Sequence, residues 1–230
     1  MKLGVLGGIG PEATGEFYSR LISRLQEKGL IKSNKDFPQI VINSLPAPEL
    51  IDEDISDKDL KPYLEGLKEL DKFKVDFIVM VCNTIHLFYD KLQKEIKTPI
   101  IDLRKVVERS LAEKDIKSAF IIGTPNTIKK GLYRFSSINC FEPDDNEIKQ
   151  LTEAIFSFNR GFKKDEQIYR VKKICQKYLD KGAETVILGC TEFAVMLGKE
   201  NMPKIDTIDV LVDAIIERII FLSQRLAIFV

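Results

Sequence analysis

The chain has 230 residues, in which 35 lysines and arginines are balanced by 35 aspartates and glutamates. Its length allows one large domain or two small ones, and its 44% hydrophobic and 30% charged residues exclude a disordered or fibrous protein. A formal net charge of zero argues against a nucleic-acid partner, because there is no excess of positive charge to hold phosphate.

Apolar runs alternate with amphipathic stretches along the whole chain. Helices are predicted at residues 13–28, 60–73, 154–178 and 209–226. Buried strands are predicted at residues 2–6, 39–44, 75–81, 99–102, 118–122 and 184–188. Strands that alternate with helices are typical of a parallel α/β sheet, which is the fold class that we expect.

The cysteine pattern and the apolar segments indicate the compartment. The four cysteines include no C-x-x-C pair, and a single histidine cannot complete the usual zinc-ligand sets, so we expect neither a metal site nor disulfides. We expect no signal peptide in the first residues, and the apolar tract 214–230 is interrupted by three charged residues. We therefore expect a reduced, cytoplasmic protein that binds a small molecule and no membrane.

An internal repeat divides the chain into two halves. Residues 68–84 read KELDKFKVDFIVMVCNT, and residues 177–191 read KYLDKGAETVILGCT. A second pair, LGGIGPEAT from residue 6 and IGTPNT from residue 122, lies about the same distance apart. Parallel strands resemble one another in general, but this does not explain why Cys and Thr follow both strands. The repeat predicts two pseudo-symmetric α/β lobes that face each other across a cleft.

Two cysteines end equivalent strands of the two lobes. Cys82 and Cys190 each follow the carboxyl end of a predicted strand, which is where ligands bind in open α/β sheets. Two thiols on opposite sides of a cleft could remove a proton from one face of a carbon and return one to the other face. A thiol with a pKa of about 8.5 suits this role if helix N-termini lower that pKa modestly. Cys140 and Cys175 are interpreted as small buried hydrophobic residues.

The residues next to these cysteines predict a site for a carboxylate. Backbone N–H groups that follow each cysteine open a helix, and Asn83, Thr84 and Thr191 add side-chain donors. The Gly-rich turn at residues 7–10 lets the backbone approach a ligand closely, but it does not match the G-x-G-x-x-G pattern of dinucleotide sites. His86, one helical turn after Cys82, lies either beside the thiol or in the core packing.

Three segments resemble signatures of the cofactor-independent aspartate/glutamate racemase superfamily, and most closely those of the aspartate racemase branch. They are LGGIGP at residues 6–11, CNTIH at 82–86 and GCTE at 189–192. The resemblance implies a two-lobed α/β fold, a homodimer, an amino-acid substrate and no cofactor. It also implies a two-base mechanism without pyridoxal phosphate, in which Cys82 and Cys190 are the paired acid and base.

The resemblance further implies the other site residues and the extent of the lobes. His86 and Glu192 would support the cysteines from outside the substrate contacts. The first lobe would comprise residues 1–98 with 207–230, and the second would comprise 99–206. The predicted substrate-binding residues are Ile9, Asn43, Asn83, Thr84, Thr124, Thr127, Arg160 and Thr191.

One departure from the family pattern concerns the side chain of the substrate. Members that prefer aspartate typically read NNPQIPDR after the second strand, whereas residues 43–50 here read NSLPAPEL. Leu50 thus replaces an arginine that is thought to bind the side-chain carboxylate of the substrate, a bidentate pairing that leucine cannot make. Arg160 is the first candidate to replace it, with Lys163 or Lys164 as alternatives and a solvent-exposed role as the other interpretation.

The sequence thus predicts an amino-acid racemase, with aspartate as the first candidate and glutamate or another amino acid as the alternative. A same-fold isomerase would also keep both cysteines, whereas decarboxylase relatives keep only one. A non-catalytic small-molecule binder or a redox sensor is the prediction from another class of protein. The apolar tract 214–230 is interpreted either as packing on the first sheet or as a subunit interface.

Overall fold

A computed structural model of the protein describes residues 1–51 and 55–227, and it contains two parallel sheets. The first sheet has the strand order β2-β1-β3, with β1 at Lys2–Gly7, β2 at Gln39–Ser44 and β3 at Phe77–Met80. The second has the order β5-β4-β6-β7, with β4 at Ser118–Gly123, β5 at Asn139–Phe141, β6 at Thr185–Gly189 and β7 at Lys204–Asp206. The predicted α/β fold class, with two parallel sheets flanked by helices, is confirmed.

The helices cover both sheets. They are α1 (Pro11–Glu27), α2 (Asp57–Lys72), α3 (Tyr89–Lys94), α4 (Leu103–Glu113), α5 (Pro125–Lys129), α6 (Asp145–Asn159), α7 (Lys164–Asp180), α8 (Thr191–Leu197) and α9 (Thr207–Ala227). Short 3-10 helices lie at Asn34–Asp36 and Thr84–Phe88. Local signals account for several starts, since Pro11 and Pro125 open α1 and α5, and Ser56 and Asp144 form capping boxes at α2 and α6.

The structure differs from the sequence prediction at several elements, among them α4 (Leu103–Glu113), which was not predicted. The helix predicted at 154–178 is two helices, because Gly161 (φ +70°) and Lys163 (φ 45°) adopt left-handed backbone after α6. The strand predicted at 99–102 is reduced to a single bridge between Ile78 and Ile100. The edge strands β5 and β7 were not predicted, since three residues each are too short to show a hydrophobic period.

One hydrophobic core joins the two sheets. It includes Val5 and Phe77 from the first sheet and Phe120 and Ile187 from the second, all of them almost fully buried. A second, smaller core lies under α2 and contains the side chain of Tyr63. Helix α9 follows β7 of the second sheet and packs against α1 and α4. The predicted lobe boundaries, 1–98 with 207–230 and 99–206, stay a prediction.

The apolar tract of α9 is only partly buried. Ile215 and Ile216 belong to the core, whereas Ile220 and Phe221 are exposed. The side chain of Leu226 and residues 228–230, which the sequence included in a possible subunit interface, lie outside the described residues. The homodimer therefore stays a prediction. Across the two described ranges, no helix is long and apolar enough to cross a membrane.

Candidate active site

A cleft of about 190 Å³ lies where the carboxyl ends of the two sheets face each other, and both Cys82 and Cys190 line it. Its volume is below the roughly 300–1,000 Å³ of pockets for drug-sized ligands, so it suits a molecule of amino-acid size. A larger groove of about 680 Å³ lies beside α6, but its lining contains neither cysteine. The cleft is therefore the candidate active site, as the strand-end positions of the two cysteines predict.

Cys82 lies in the connection between β3 and the 3-10 helix at Thr84–Phe88, and its side chain is buried. Burial raises the pKa of its thiol to about 12, although hydrogen bonds from the backbone N–H groups of Ile85 and Thr84 act in the opposite direction. The modest lowering of the pKa expected from the sequence is thus wrong for Cys82, because desolvation outweighs the N–H groups at the helix start.

Cys190 precedes α8 and has a carboxylate partner. Its Sγ donates to Oε2 of Glu192 at 2.7 Å, and the Thr191 hydroxyl donates to the same oxygen at 3.3 Å. The other carboxylate oxygen accepts from the Asn159 amide at 3.2 Å. Burial raises the pKa of Cys190 well above its ordinary value, and the nearby charge of Glu192 raises it further. The cleft thus holds two protonated thiols, one of which already points its proton at a carboxylate.

Asn83 is held in a buried network rather than exposed to the cleft as a free donor. Its amide donates to the Thr207 hydroxyl at 3.1 Å, and its carbonyl accepts from the Tyr133 hydroxyl. Thr207 in turn donates to the backbone carbonyl of Leu188 on β6 at 2.9 Å. These contacts tie the loop after β3 to the second sheet. Sequence reasoning did not identify Tyr133 or Thr207 as site residues, because their role depends on contacts across long chain separations.

Three threonine hydroxyls form a cluster where the two halves of the chain meet. The hydroxyl of Thr84 lies 2.9 Å from that of Thr124 and 3.2 Å from that of Thr127. Thr124 also caps α5 by accepting from the backbone N–H of Thr127 at 3.2 Å. Thr84 and Thr124 line the cleft with Asn83 and Thr191, and Thr127 lies behind them. The predicted donors are therefore brought together around the two thiols.

The Gly-rich turn brings the first sheet close to Glu192. Gly10 has a φ of +76°, and a Cβ added to it would lie 2.5 Å from Oε1 of Glu192. Gly8 has a φ of +84°, and a Cβ there would lie 2.4 Å from the backbone nitrogen of Leu45. Both positions require glycine for conformation and for space. Between them, Ile9 lines the cleft, as predicted from the resemblance.

His86 lies behind Cys82 and is fully buried. Its Nδ1 is 2.8 Å from the carbonyl oxygen of Cys82, and since a carbonyl only accepts, Nδ1 carries the hydrogen. Nε2 has no hydrogen-bond partner among the described residues. Burial lowers the pKa of His86, so the imidazole is neutral. The sequence left open whether His86 lies beside the thiol or in the core packing, and the structure places the ring against the backbone carbonyl of Cys82 in a fully buried position.

Three predicted substrate-binding residues do not line the cleft: Thr127, which lies behind the other threonines, and Asn43 and Arg160. The Asn43 amide turns toward α2, where it donates to Glu69 at 2.7 Å and to the carbonyl of Gly66 at 3.3 Å. Arg160 is exposed, with its guanidinium over the ring of Phe156. Because α6 ends at Asn159, that residue rather than Arg160 reaches the cleft.

Side chains that sequence reasoning missed form the outer part of the cleft. Glu12, Glu49 and Asn159 line it, and no pattern in the sequence pointed to them. Lys164, one of the alternatives to Arg160, lies next to the cleft, with its Nζ 2.6 and 2.8 Å from the two carboxylate oxygens of Glu12. Leu50 also lines the cleft, in the place where the resemblance leads us to expect an arginine.

Comparison with known proteins identifies similar sequences and structures. The sequence profile of the Asp/Glu/Hydantoin racemase family matches residues 6–215. The broad specificity amino-acid racemase RacX of Bacillus subtilis (strain 168) is 25% identical over 216 residues, which cover 89% of this chain and 92% of that protein. The structure of an aspartate racemase from Picrophilus torridus has a TM-score of 0.78 and 22% sequence identity, and the match covers 94% of this chain and 93% of that one. The structure of an aspartate racemase homologue from Pyrococcus horikoshii OT3 has a TM-score of 0.72 and 26% sequence identity, and the match covers 94% of this chain and 97% of that one.

Proposed function

The chain belongs to the Asp/Glu/Hydantoin racemase family, and on that premise we propose that it is an amino-acid racemase that works without pyridoxal phosphate. Cys82 and Cys190 are its paired acid and base. The observation that carries the proposal is that one buried thiol from each half of the chain lines the same cleft. Neither a simple binding protein nor a structural cysteine pair requires that arrangement.

The reaction proceeds by transfer of one proton on each face of the α-carbon. In one direction, Cys82 first loses its proton to solvent, and its thiolate then takes the α-proton and becomes a thiol again, while the electron pair of the broken C–H bond stays on the substrate. The Cys190 thiol then gives its proton to the opposite face and becomes a thiolate. Cys190 then regains a proton from solvent, so each thiol is deprotonated once and protonated once per cycle, with water as the external proton acceptor and donor. The roles exchange for the other enantiomer.

Glu192 acts on the thiol of Cys190, and the threonine hydroxyls bind the substrate. Because Cys190 donates to Glu192 at 2.7 Å, the carboxylate can accept that proton and leave a thiolate. The hydroxyls of Thr84, Thr124 and Thr191 line the cleft and can donate to the α-carboxylate of the substrate. Donors fixed at that carboxylate also stabilise the negative charge that develops on it when the α-proton leaves.

Aspartate is the substrate that the sequence resemblance names, and it stays a candidate on that ground. An aspartate side chain needs a cation, and neither Lys164 nor Arg160 belongs to the described lining of the cleft. Lys164 is the nearer of the two, because its Nζ is paired with the lining residue Glu12. The guanidinium of Arg160 instead lies over the ring of Phe156.

The proposal is tested by proton NMR of purified protein in D2O without added pyridoxal phosphate. Racemisation with solvent exchange removes the α-proton signal of both enantiomers of a substrate, and chiral chromatography of the same samples shows D-isomer formed from L-isomer. A panel of L- and D-amino acids, including aspartate and glutamate, should contain at least one substrate. Absence of both exchange and inversion for the whole panel would contradict the proposal.

A further inference from the structure

We propose that the substrates of this cleft are amino acids with an aliphatic side chain that ends in a cation, such as lysine or ornithine. The inference rests on the proposed racemase function and adds the class of side chain that the site accepts. It is carried by the charges and the apolar surface on the outer side of the two cysteines.

The described lining of the cleft is acidic. Glu12, Glu49 and Glu192 all contribute to it, and none of the described lining residues is a lysine, arginine or histidine. A second carboxylate on the substrate would therefore enter a site that already carries three carboxylates. Like charges repel, and they do so more strongly where water is partly excluded.

The three carboxylates differ in whether they already have a hydrogen-bond or ion-pair partner. Glu192 accepts from Cys190 and Asn159, and Glu12 is paired with Lys164. Glu49 has no ion-pair partner in the part of the chain that the structure describes, and its side chain is exposed at the cleft. It is therefore the carboxylate that is available to a cation on the substrate.

The chain segment that carries Glu49 is held in place. The backbone carbonyl of Leu50 accepts from the Asn126 amide at 3.1 Å, and that of Pro48 accepts from the hydroxyl of the buried Tyr63. These two contacts fix the backbone on both sides of Glu49, one to the second half of the chain and one to α2. Hydrogen bonds thus anchor the loop on both sides of Glu49 and position this residue at the cleft.

Apolar side chains line the same cleft as the cysteines and Glu49. The buried side chain of Leu50 lines the cleft, and so do four other apolar residues: Ile9, Ala47, Ile51 and Ile155. Long basic side chains bury their methylene groups along apolar surface while the charged end stays in a polar place. The cleft offers this combination, since these apolar side chains line it together with Glu49.

The test measures α-proton exchange and inversion for lysine, ornithine, norleucine, aspartate and glutamate. Norleucine is the matched probe, because it has nearly the shape of lysine without the charge. We expect kcat/KM for lysine or ornithine to exceed the values for norleucine and aspartate by about tenfold or more, as for one charge-assisted hydrogen bond. A higher value for aspartate or norleucine would overturn the inference but leave the racemase standing. If none of the five amino acids exchanged its α-proton, the proposed racemase function itself would be contradicted.

Two variants distinguish the role of Glu49 from the effect of removing any surface carboxylate. Glu49→Gln should lower the preference for lysine over norleucine by about tenfold. Glu65→Gln is the matched control, because Glu65 is exposed on α2, pairs with Lys61 and does not line the cleft. The same lysine-to-norleucine ratio in Glu49→Gln as in wild type would overturn the assignment of Glu49.

Discussion

The Sγ of Cys190 lies 2.7 Å from Oε2 of Glu192, and no equivalent carboxylate accepts from Cys82 among the described residues. The two thiols are therefore related by the repeat in position but not in surroundings. Cys190 has a carboxylate that can take its proton, whereas Cys82 has two backbone N–H groups that stabilise its thiolate. This asymmetry means that the two cysteines are activated in different ways, and it leads to the first prediction.

Glu192→Gln should slow racemisation by about a hundredfold, because glutamine cannot accept the Cys190 proton as a base does. The two enantiomers have equal free energy in water, so kcat/KM must fall by the same factor in both directions. The readout is kcat/KM for L- and D-substrate, with the pH profile of each. The matched control is Glu142→Gln, which removes a carboxylate that pairs with Arg134 away from the cleft. A hundredfold loss in the control, or none in Glu192→Gln, would contradict this role.

Cys82→Ala and Cys190→Ala should each abolish racemisation, since inversion requires a proton donor on the face opposite to the base. Each variant keeps one thiol, so each should still exchange the α-proton of one enantiomer with solvent, with retention of configuration. The two variants should act on opposite enantiomers. Deuterium incorporation followed by NMR, with chiral chromatography of the products, gives both readouts. Cys175→Ala, at a buried cysteine outside the cleft lining, is the matched control and should racemise normally.

The reactivity of Cys82 should rise steeply with pH. Burial raises its pKa to about 12, so at neutral pH the thiol is almost entirely protonated, and the thiolate fraction grows tenfold per pH unit below that pKa. In Cys190→Ala protein, alkylation of Cys82 by iodoacetamide should therefore accelerate about tenfold per unit between pH 7 and 10. Mass spectrometry assigns the modified peptide. A rate that levels off below pH 8 would show that the thiol has an ordinary or lowered pKa.

His86 should make the stability of the protein depend on pH. Burial lowers its pKa, so between the folded and the unfolded pKa of about 6.5 the unfolded chain binds the extra proton. The free energy of unfolding therefore rises with pH through this window, and the contribution is lost as pH falls below about 6.5. His86 is the only histidine in the chain, so the effect has a single source.

The measurement is urea denaturation at pH 5, 6 and 8 for wild type and His86→Asn. The asparagine amide can keep a donor near the carbonyl of Cys82, while it removes the titrating group. The difference in unfolding free energy between the two proteins should change by up to about 1.4 kcal/mol per pH unit below pH 6.5. Parallel curves for the two proteins would mean that His86 does not titrate in this range.

Much of the fold and the center of the site could be predicted because both depend on short segments. A fully apolar run such as Phe77–Met80 predicts a buried strand, and a parallel sheet places the residue after each strand at one edge. The repeat of Cys and Thr after two such strands was therefore sufficient to place Cys82 and Cys190 in one cleft. Ile9 was predicted only from the resemblance to the family, and it lines the cleft.

The outer part of the site could not be predicted because it depends on helix ends and long-range contacts. Asn159 rather than Arg160 reaches the cleft, since the left-handed backbone at Gly161 ends α6. Asn43 points to α2 because Glu69, 26 residues further along, supplies a better acceptor. The raised pKa of Cys190 depends on burial, which only the packed structure shows.

Leu50→Arg should move the substrate preference toward acidic amino acids. The new guanidinium would neutralise the charge of the neighbouring Glu49 and could pair with a side-chain carboxylate of the substrate. We expect the ratio of kcat/KM for aspartate to that for lysine to rise by about tenfold or more. Leu50 is buried in the small core under α2, so the variant should also lose about 2–3 kcal/mol of stability.

Leu50→Met is the matched control, because it keeps an apolar side chain of similar volume and should leave the ratio near the wild-type value. Circular dichroism and thermal unfolding of both variants establish that the proteins compared are folded. If folded Leu50→Arg protein keeps the wild-type ratio of aspartate to lysine, position 50 does not set the side-chain charge that the cleft accepts. In that case the carboxylates of Glu12 and Glu192, which the substitution leaves in place, would be the groups to change next.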